Sequence, residues 1–341
     1  MKSGLNARWR KNAMAGVEPQ AIHRNAIVID GANASKFDET LFHQMLMGGV
    51  TAANVMVSVF DNFKETILKT CAWKRLYTQL DALIMPIHRA DDFAAAKEYG
   101  KLGIILGLQN TTAIEEDLEL IPVLKGMGIR IMQLTYNERN YVADGCFERV
   151  DAGLSRFGLE VLKRLNEHHI LVDLSHAGPR STVEATERTE APVAVMHSSP
   201  KMLCDYPRNK TDEQIKLLAQ KGGVFGCSFW PYGLKKGVES TVSDYVDTID
   251  HVVDLVGINY TAIASDFCMN RTKAELQRFQ SGRTKPWRTV DLDWPVVMPE
   301  GLREATDYLN VTSELARRGY SERDITKILG GNFIRLFEQV W

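Results

Sequence analysis

What most constrains this chain is a pattern that recurs eight times: a short, nearly continuous apolar run, followed by a stretch of helical periodicity. The apolar runs lie at 26–31, 51–59, 103–109, 129–136, 170–175, 193–197, 223–229 and 261–267. Helical patterns follow at 39–47, 63–83, 118–127, 156–168, 180–186, 212–220 and 244–256, and two more, 302–317 and 322–339, close the chain. Runs that are apolar throughout suit parallel strands buried on both faces. Eight strand–helix units predict an α/β fold, a single closed (β/α)8 barrel (TIM barrel), over an open doubly wound sheet. The open sheet is weakened further because no GxGxxG follows the first run and no GxxxxGK[ST] occurs. Residues 1–25 read as an N-terminal extension and 26–341 as one barrel domain.

Charge and composition exclude several classes of function. The net charge of −2 gives no electrostatic case for nucleic acid or an anionic membrane as partner. The basic N-terminus is not followed by the apolar segment of a signal peptide, and no apolar run is long enough to span a bilayer. Cys71, Cys146, Cys204, Cys227 and Cys268 are dispersed without CxxC spacing, the pattern of reduced thiols in a cytoplasmic protein.

In such barrels the side chains that do chemistry stand at the C-terminal ends of the strands. The run at 170–175 leads into His176, the run at 193–197 ends on His197, and the run at 261–267 carries Asp266. Two imidazoles and a carboxylate on one rim can hold zinc and leave a position open for water. Iron and manganese accept the same set. Each histidine can equally be a hydrogen-bonded core residue. Arg208, in the loop after the sixth run, can clamp a substrate carboxylate through two parallel hydrogen bonds or simply brace its loop. His23, His43, His88 and His251 lie away from strand ends and read as structural or solvated. Two long irregular segments, 137–153 and 268–301, both follow strands and are expected on the same rim as lids or substrate walls, the second carrying Trp287 and Trp294.

Several longer motifs carry a resemblance. LVDLSH at 171–176, the stretch from APV at 191–193 through HSS at 197–199 to LCDYPRN at 203–209, SDF at 265–267 and GGNFIRLF at 330–337 resemble the membrane dipeptidase (renal dipeptidase) family of metal-dependent, amidohydrolase-type barrels. The similarity runs from residue 27 onward. It implies hydrolysis of dipeptides by two zinc ions and a bridging water, in a homodimer. It also implies His176 and His197 as ligands of the second metal, Asp266 as the acid that handles the water's proton, and Arg208 as the holder of the substrate's terminal carboxylate.

The departures are as specific as the matches. Ala32 and Ala34 stand where the family has His-x-Asp, Gln109 where it has a bridging glutamate, and Tyr136 where it has a histidine near the developing oxyanion. Methyl groups ligate nothing, and a neutral amide does not bridge two dications as a carboxylate does. A phenol can still donate a hydrogen bond to an oxyanion. The expectation is a hydrolase with one metal ion, zinc first and iron or manganese next, held by His176, His197 and Asp266. Arg208, Gln109 and Tyr136 would face a small carboxylate-bearing substrate. The alternatives are an inactive barrel that binds a carboxylated metabolite, and single-metal lyase chemistry.

Overall fold

The computed structural model describes residues 18–281, 292 and 294–341, so the basic N-terminus and Trp287 lie outside the described residues. The strands are β1 (Ile29–Asn33), β2 (Ala52–Ser58), β3 (Ile84–Pro86), β4 (Leu102–Leu108), β5 (Ile129–Gln133), β6 (Leu171–Asp173), β7 (Ala194–Ser198), β8 (Val224–Ser228) and β9 (Thr261–Ala264). They pair in parallel in the order β1-β2-β4-β5-β6-β7-β8-β9. A bridge between Asn33 and Phe267 closes the ring, as do the bonds Asp266 N–H to Ala32 O and Ala34 N–H to Phe267 O, each 2.8 Å. The expected closed barrel is therefore present. Strand β3 had no counterpart in the sequence reading. It is three residues long and ends on Pro86, and it pairs with the start of β4 (Met85 with Gly103) before β5 takes over that edge at Leu106.

Aliphatic side chains on the outer face of the barrel pack against the surrounding helices. The inner face is filled from below by the final helix, Asn332–Val340, whose Phe333, Leu336 and Phe337 are fully buried. Close approach requires glycine there: a Cβ on Gly226 would lie 2.0 Å from the carbonyl oxygen of Met196. The helix expected over 322–339 is interrupted by a π turn, Lys327–Gly331, where Gly330 passes so near Ile27 that a Cβ would sit 2.3 Å from its carbonyl.

The seam is secured by a carboxylate. Asp30 is fully buried and accepts from Ser265 N–H, Ser265 O–H and Tyr308 O–H, each at 2.7 Å, and from Asn33 Nδ2 at 3.0 Å. It ties β1 to the residue that precedes Asp266. Residues 19–25, assigned by sequence to the extension, form a helix docked on the barrel: His23 bonds Thr312 Oγ1 at 2.7 Å and Gly48 O at 2.8 Å. No described helix is long and apolar enough to cross a membrane.

Candidate active site

The C-terminal ends of the strands converge on a cleft of about 540 Å³, counted out to its open mouth. Ala34, Gln109, Tyr136, His176, Arg208 and Asp266, all singled out by sequence, line it. Ala32 lies within β1 and is buried behind them. Both long segments reach the cleft: Phe147 comes from the first, and the helix Lys273–Ser281 of the second brings Leu276, Phe279 and Gln280 to its wall.

The two histidines are placed by one buried carboxylate between their strands. Asp173, at the end of β6, accepts from the backbone N–H of Ser175 at 2.9 Å and of Met196 at 3.0 Å. Ser175 Oγ in turn accepts from His197 N–H at 3.0 Å. This brings His176 Nε2 within 3.2 Å of His197 Nε2. Asn137 Oδ1 lies 2.6 Å from His176 Nδ1, which assigns the proton to Nδ1 and leaves the Nε2 lone pair facing His197. The ring of Tyr136 stacks on His176 with centroids 4.1 Å apart and fixes its plane. Burial, followed by the positive charge of Arg208, holds the His176 pKa well below its ordinary value. Burial lowers that of His197 as well. Both rings are therefore neutral near pH 7, the state in which imidazole ligates a metal.

Arg208 and Asp266 form the charged part of the cleft. Arg208 Nη1 donates to Asp266 Oδ2 at 2.6 Å, and the same nitrogen lies 3.4 Å from His176 Nε2. The guanidinium stands over Trp230, 5.7 Å from the ring centroid, and its Nε–H is buried without an acceptor. Behind it, Lys210 is buried on the carbonyl of Ala177 at 2.6 Å, and burial brings its pKa down to about 8. Asp266 and Asn137 both adopt left-handed backbone conformations, φ 54° and 59°. Such conformations cost energy for residues other than glycine and cluster at functional sites.

The donors placed together for a metal ion are the two Nε2 atoms of the imidazole pair. Two nitrogens bound to one tetrahedral zinc lie about 3.3 Å apart, close to the separation seen here. An uncharged pair leaves a defect: His197 Nδ1 is buried with no hydrogen-bond partner, Asp173 Oδ2 being 3.9 Å away. A cation at the two Nε2 atoms would place the proton of His197 on Nδ1, facing that carboxylate. At the first-metal positions, Ala32 and Ala34 offer no donor. Among the described residues no three His, Cys, Asp or Glu side chains converge on one point. The three side chains expected to act together, His176, His197 and Asp266, do not converge: Asp266 is turned to Arg208, a permanent cation at hydrogen-bond distance, instead of joining the imidazoles. Sequence reasoning also missed Asn137, Asp173 and Lys210. An asparagine directly after a strand-end aromatic was the available signal for Asn137, since asparagine tolerates positive φ better than most residues.

Comparison with known proteins agrees with this architecture. A family model described as membrane dipeptidase (peptidase family M19) matches residues 20–281 and 290–341. Dipeptidase tcpJ of Claviceps purpurea is 27% identical over 256 residues, 74% of this chain and 54% of that protein. Dipeptidase 3 of Rattus norvegicus is 26% identical over 246 residues, 70% of this chain and 45% of that protein. The chain thus spans about half the length of the curated relatives it matches. Among solved structures, an amidohydrolase from Pseudomonas aeruginosa superposes with a TM-score of 0.92 at 36% identity, covering 95% of this chain and 99% of that one. A metallo peptidase from Rhodobacter sphaeroides, liganded with a phosphinate mimic of L-Ala-D-Ala, shares the fold at TM-score 0.79 and 17% identity, over 93% of this chain and 100% of that one. With the family model matching nearly the whole chain, and the barrel and its rim as described, the chain belongs to the membrane dipeptidase family, peptidase family M19.

Proposed function

We propose that the chain hydrolyses an amide bond in a small carboxylate-bearing substrate, using one divalent metal ion instead of two. The observation that carries this reading is the imidazole pair, Nε2 to Nε2 3.2 Å, with His176 anchored through Nδ1 by Asn137. An ion held by His176 and His197, zinc first and iron or manganese next, supplies Lewis acidity toward the substrate carbonyl and toward water. The side chains do the rest. Arg208, which lines the cleft, would donate to the substrate carboxylate from the guanidinium N–H groups that Asp266 does not hold. Burial, and then the charge of Asp266, keep the Tyr136 phenol protonated far above neutral pH. Its O–H can therefore donate to the carbonyl oxygen as negative charge develops there. Asp266, tethered by Arg208, takes the proton of the attacking water and returns it to the leaving nitrogen.

One observation favours a second reading, an inactive barrel that binds a carboxylated metabolite: Arg208 Nη1 already places a cation 3.4 Å from the His176 lone pair. Elemental analysis of the purified chain, with turnover of dipeptides and N-acyl amino acids after zinc loading, separates the two. The hydrolase reading expects up to one zinc per chain, lost in H176A, together with turnover. Metal-free protein without turnover, yet binding a carboxylate through Arg208, establishes the second.

A further inference from the structure

Charge is unevenly distributed in the cleft. Walking round the barrel, β1, β2 and β4 contribute Ala34, Met56 and Gln109, a methyl, a thioether and an amide. The charged groups, Arg208 and Asp266, come from beyond β7 and β9. Among the described residues Asp266 is the sole carboxylate lining the cleft, and it is committed to Arg208 at 2.6 Å. Lys210 adds a buried cation on the same side. A free dipeptide would place a carboxylate on Arg208 and an α-ammonium across the scissile amide, in the neutral half. There it would lose its water shell with no free carboxylate among the described lining residues to replace it, in a space already biased positive. The same half suits an uncharged acyl group, and Leu276 and Phe279 add apolar lining to the cleft.

From this asymmetry we infer that the substrate is an N-acylated amino acid, or a similarly N-blocked carboxylate, and not a free dipeptide. The inference rests on the proposed hydrolase reading and names its substrate class. Water adds across the amide C–N bond. Its oxygen and one hydrogen complete the carboxylic acid of the acyl product, and its other hydrogen goes to the nitrogen of the departing amino acid.

The test uses two ligands of nearly equal shape, alanylphenylalanine and isobutyrylphenylalanine, in which a methyl replaces the ammonium. Each is titrated calorimetrically, in both configurations at phenylalanine, into the full chain with zinc. The acyl compound is expected to bind about tenfold tighter or better, the scale of one buried polar group left unpartnered. Q109E, which restores a carboxylate to the neutral half, is expected to shrink that preference about tenfold through tighter dipeptide binding. Equal or tighter binding of the dipeptide by the wild-type chain overturns the inference, as does a preference that Q109E leaves unchanged. So does failure of every ligand to bind. Turnover is scored separately. Tight isobutyrylphenylalanine binding without hydrolysis supports the preference for an N-blocked ligand and refutes the hydrolase, whereas hydrolysis of the dipeptide with no acyl preference supports the hydrolase and overturns the preference.

Discussion

Replacing Asn137 with glycine asks directly whether the imidazole pair is a metal site. Asn137 sits at φ 59°, which glycine adopts without strain and alanine only at ~1 kcal/mol. N137G therefore removes the acceptor 2.6 Å from His176 Nδ1 while leaving the backbone its conformation. The His176 ring then keeps its stack on Tyr136 and its Nε2 contacts with His197 and Arg208, but Nδ1–H loses the bond that fixed the tautomer and aimed the Nε2 lone pair toward His197. Losing the outer partner of a ligating histidine costs ~10–100-fold in metal affinity, or ~1.4–2.7 kcal/mol. The assay is competition for zinc against a chromogenic chelator, with the wild type, N137G, N137D and H176A side by side. N137D keeps the acceptor and adds a negative charge, so it is expected to bind zinc at least as tightly as the wild type. A wild-type affinity that N137G and H176A leave unmoved would refute the reasoning, because zinc would then sit elsewhere.

Three further outcomes are expected. Y136F keeps the ring stacked on His176 but loses the phenolic donor, so kcat should fall ~10–100-fold with KM little changed; an equal effect on KM would show ground-state binding instead. R208M leaves the Asp266 carboxylate buried without its cation and should lower the unfolding free energy by ~3 kcal/mol, read from the denaturant midpoint, with part of the loss restored by adding D266N. Glu314, 8% exposed, is hydrogen-bonded by Arg317, Arg318 and Ser243, and these bonds bring its pKa from 4.5 down to about 2. Because the folded value lies below the unfolded one, the stabilisation is complete above pH ~4.5 and is lost as pH falls toward ~2. The advantage of the wild type over E314Q in denaturant midpoint should therefore vanish across that window.

The parts of the fold legible in the sequence are those whose signals are local. The helices Glu39–Met47 and Asp212–Gln220 begin and end where expected, since Asp38 and Thr211 cap them with their own side chains. The helix expected from residue 302 begins instead at Tyr308, because the Asp307 carboxylate accepts from the N–H groups of Arg303 and Glu304 and holds a turn. Strand β3 and the break at Gly330 are invisible locally, since both depend on a neighbouring chain segment. The site shows the same division. His176, His197 and Asp266 were legible because a barrel gathers strand ends on one rim. The pairing of Arg208 with Asp266 was not, because it depends on where two side chains point across the cleft.

The substitutions at the rim make sense as a charge balance. Read through the resemblance, positions 34 and 109 each lose a carboxylate and position 32 loses a neutral imidazole. Two carboxylates match the charge of one dication, so a site that lost them together with one metal ion keeps its net charge. Retaining both ions would instead leave two positive charges uncompensated in a buried space. What remains is internally balanced: Asp266 is matched by Arg208 at 2.6 Å, and burial keeps both imidazoles neutral. An ion held by His176 and His197, as proposed, would meet two neutral donors and, among the described residues, no protein anion of its own, so its retention should depend on an anion brought by the ligand. Dialysis of zinc-loaded protein against a chelator should strip the metal from the protein alone faster than from protein saturated with isobutyrylphenylalanine, with the difference abolished in R208M. Zinc held at one ion per chain through the chelator, with no carboxylate present, would mean that a protein anion completes the site and that this balance is wrong.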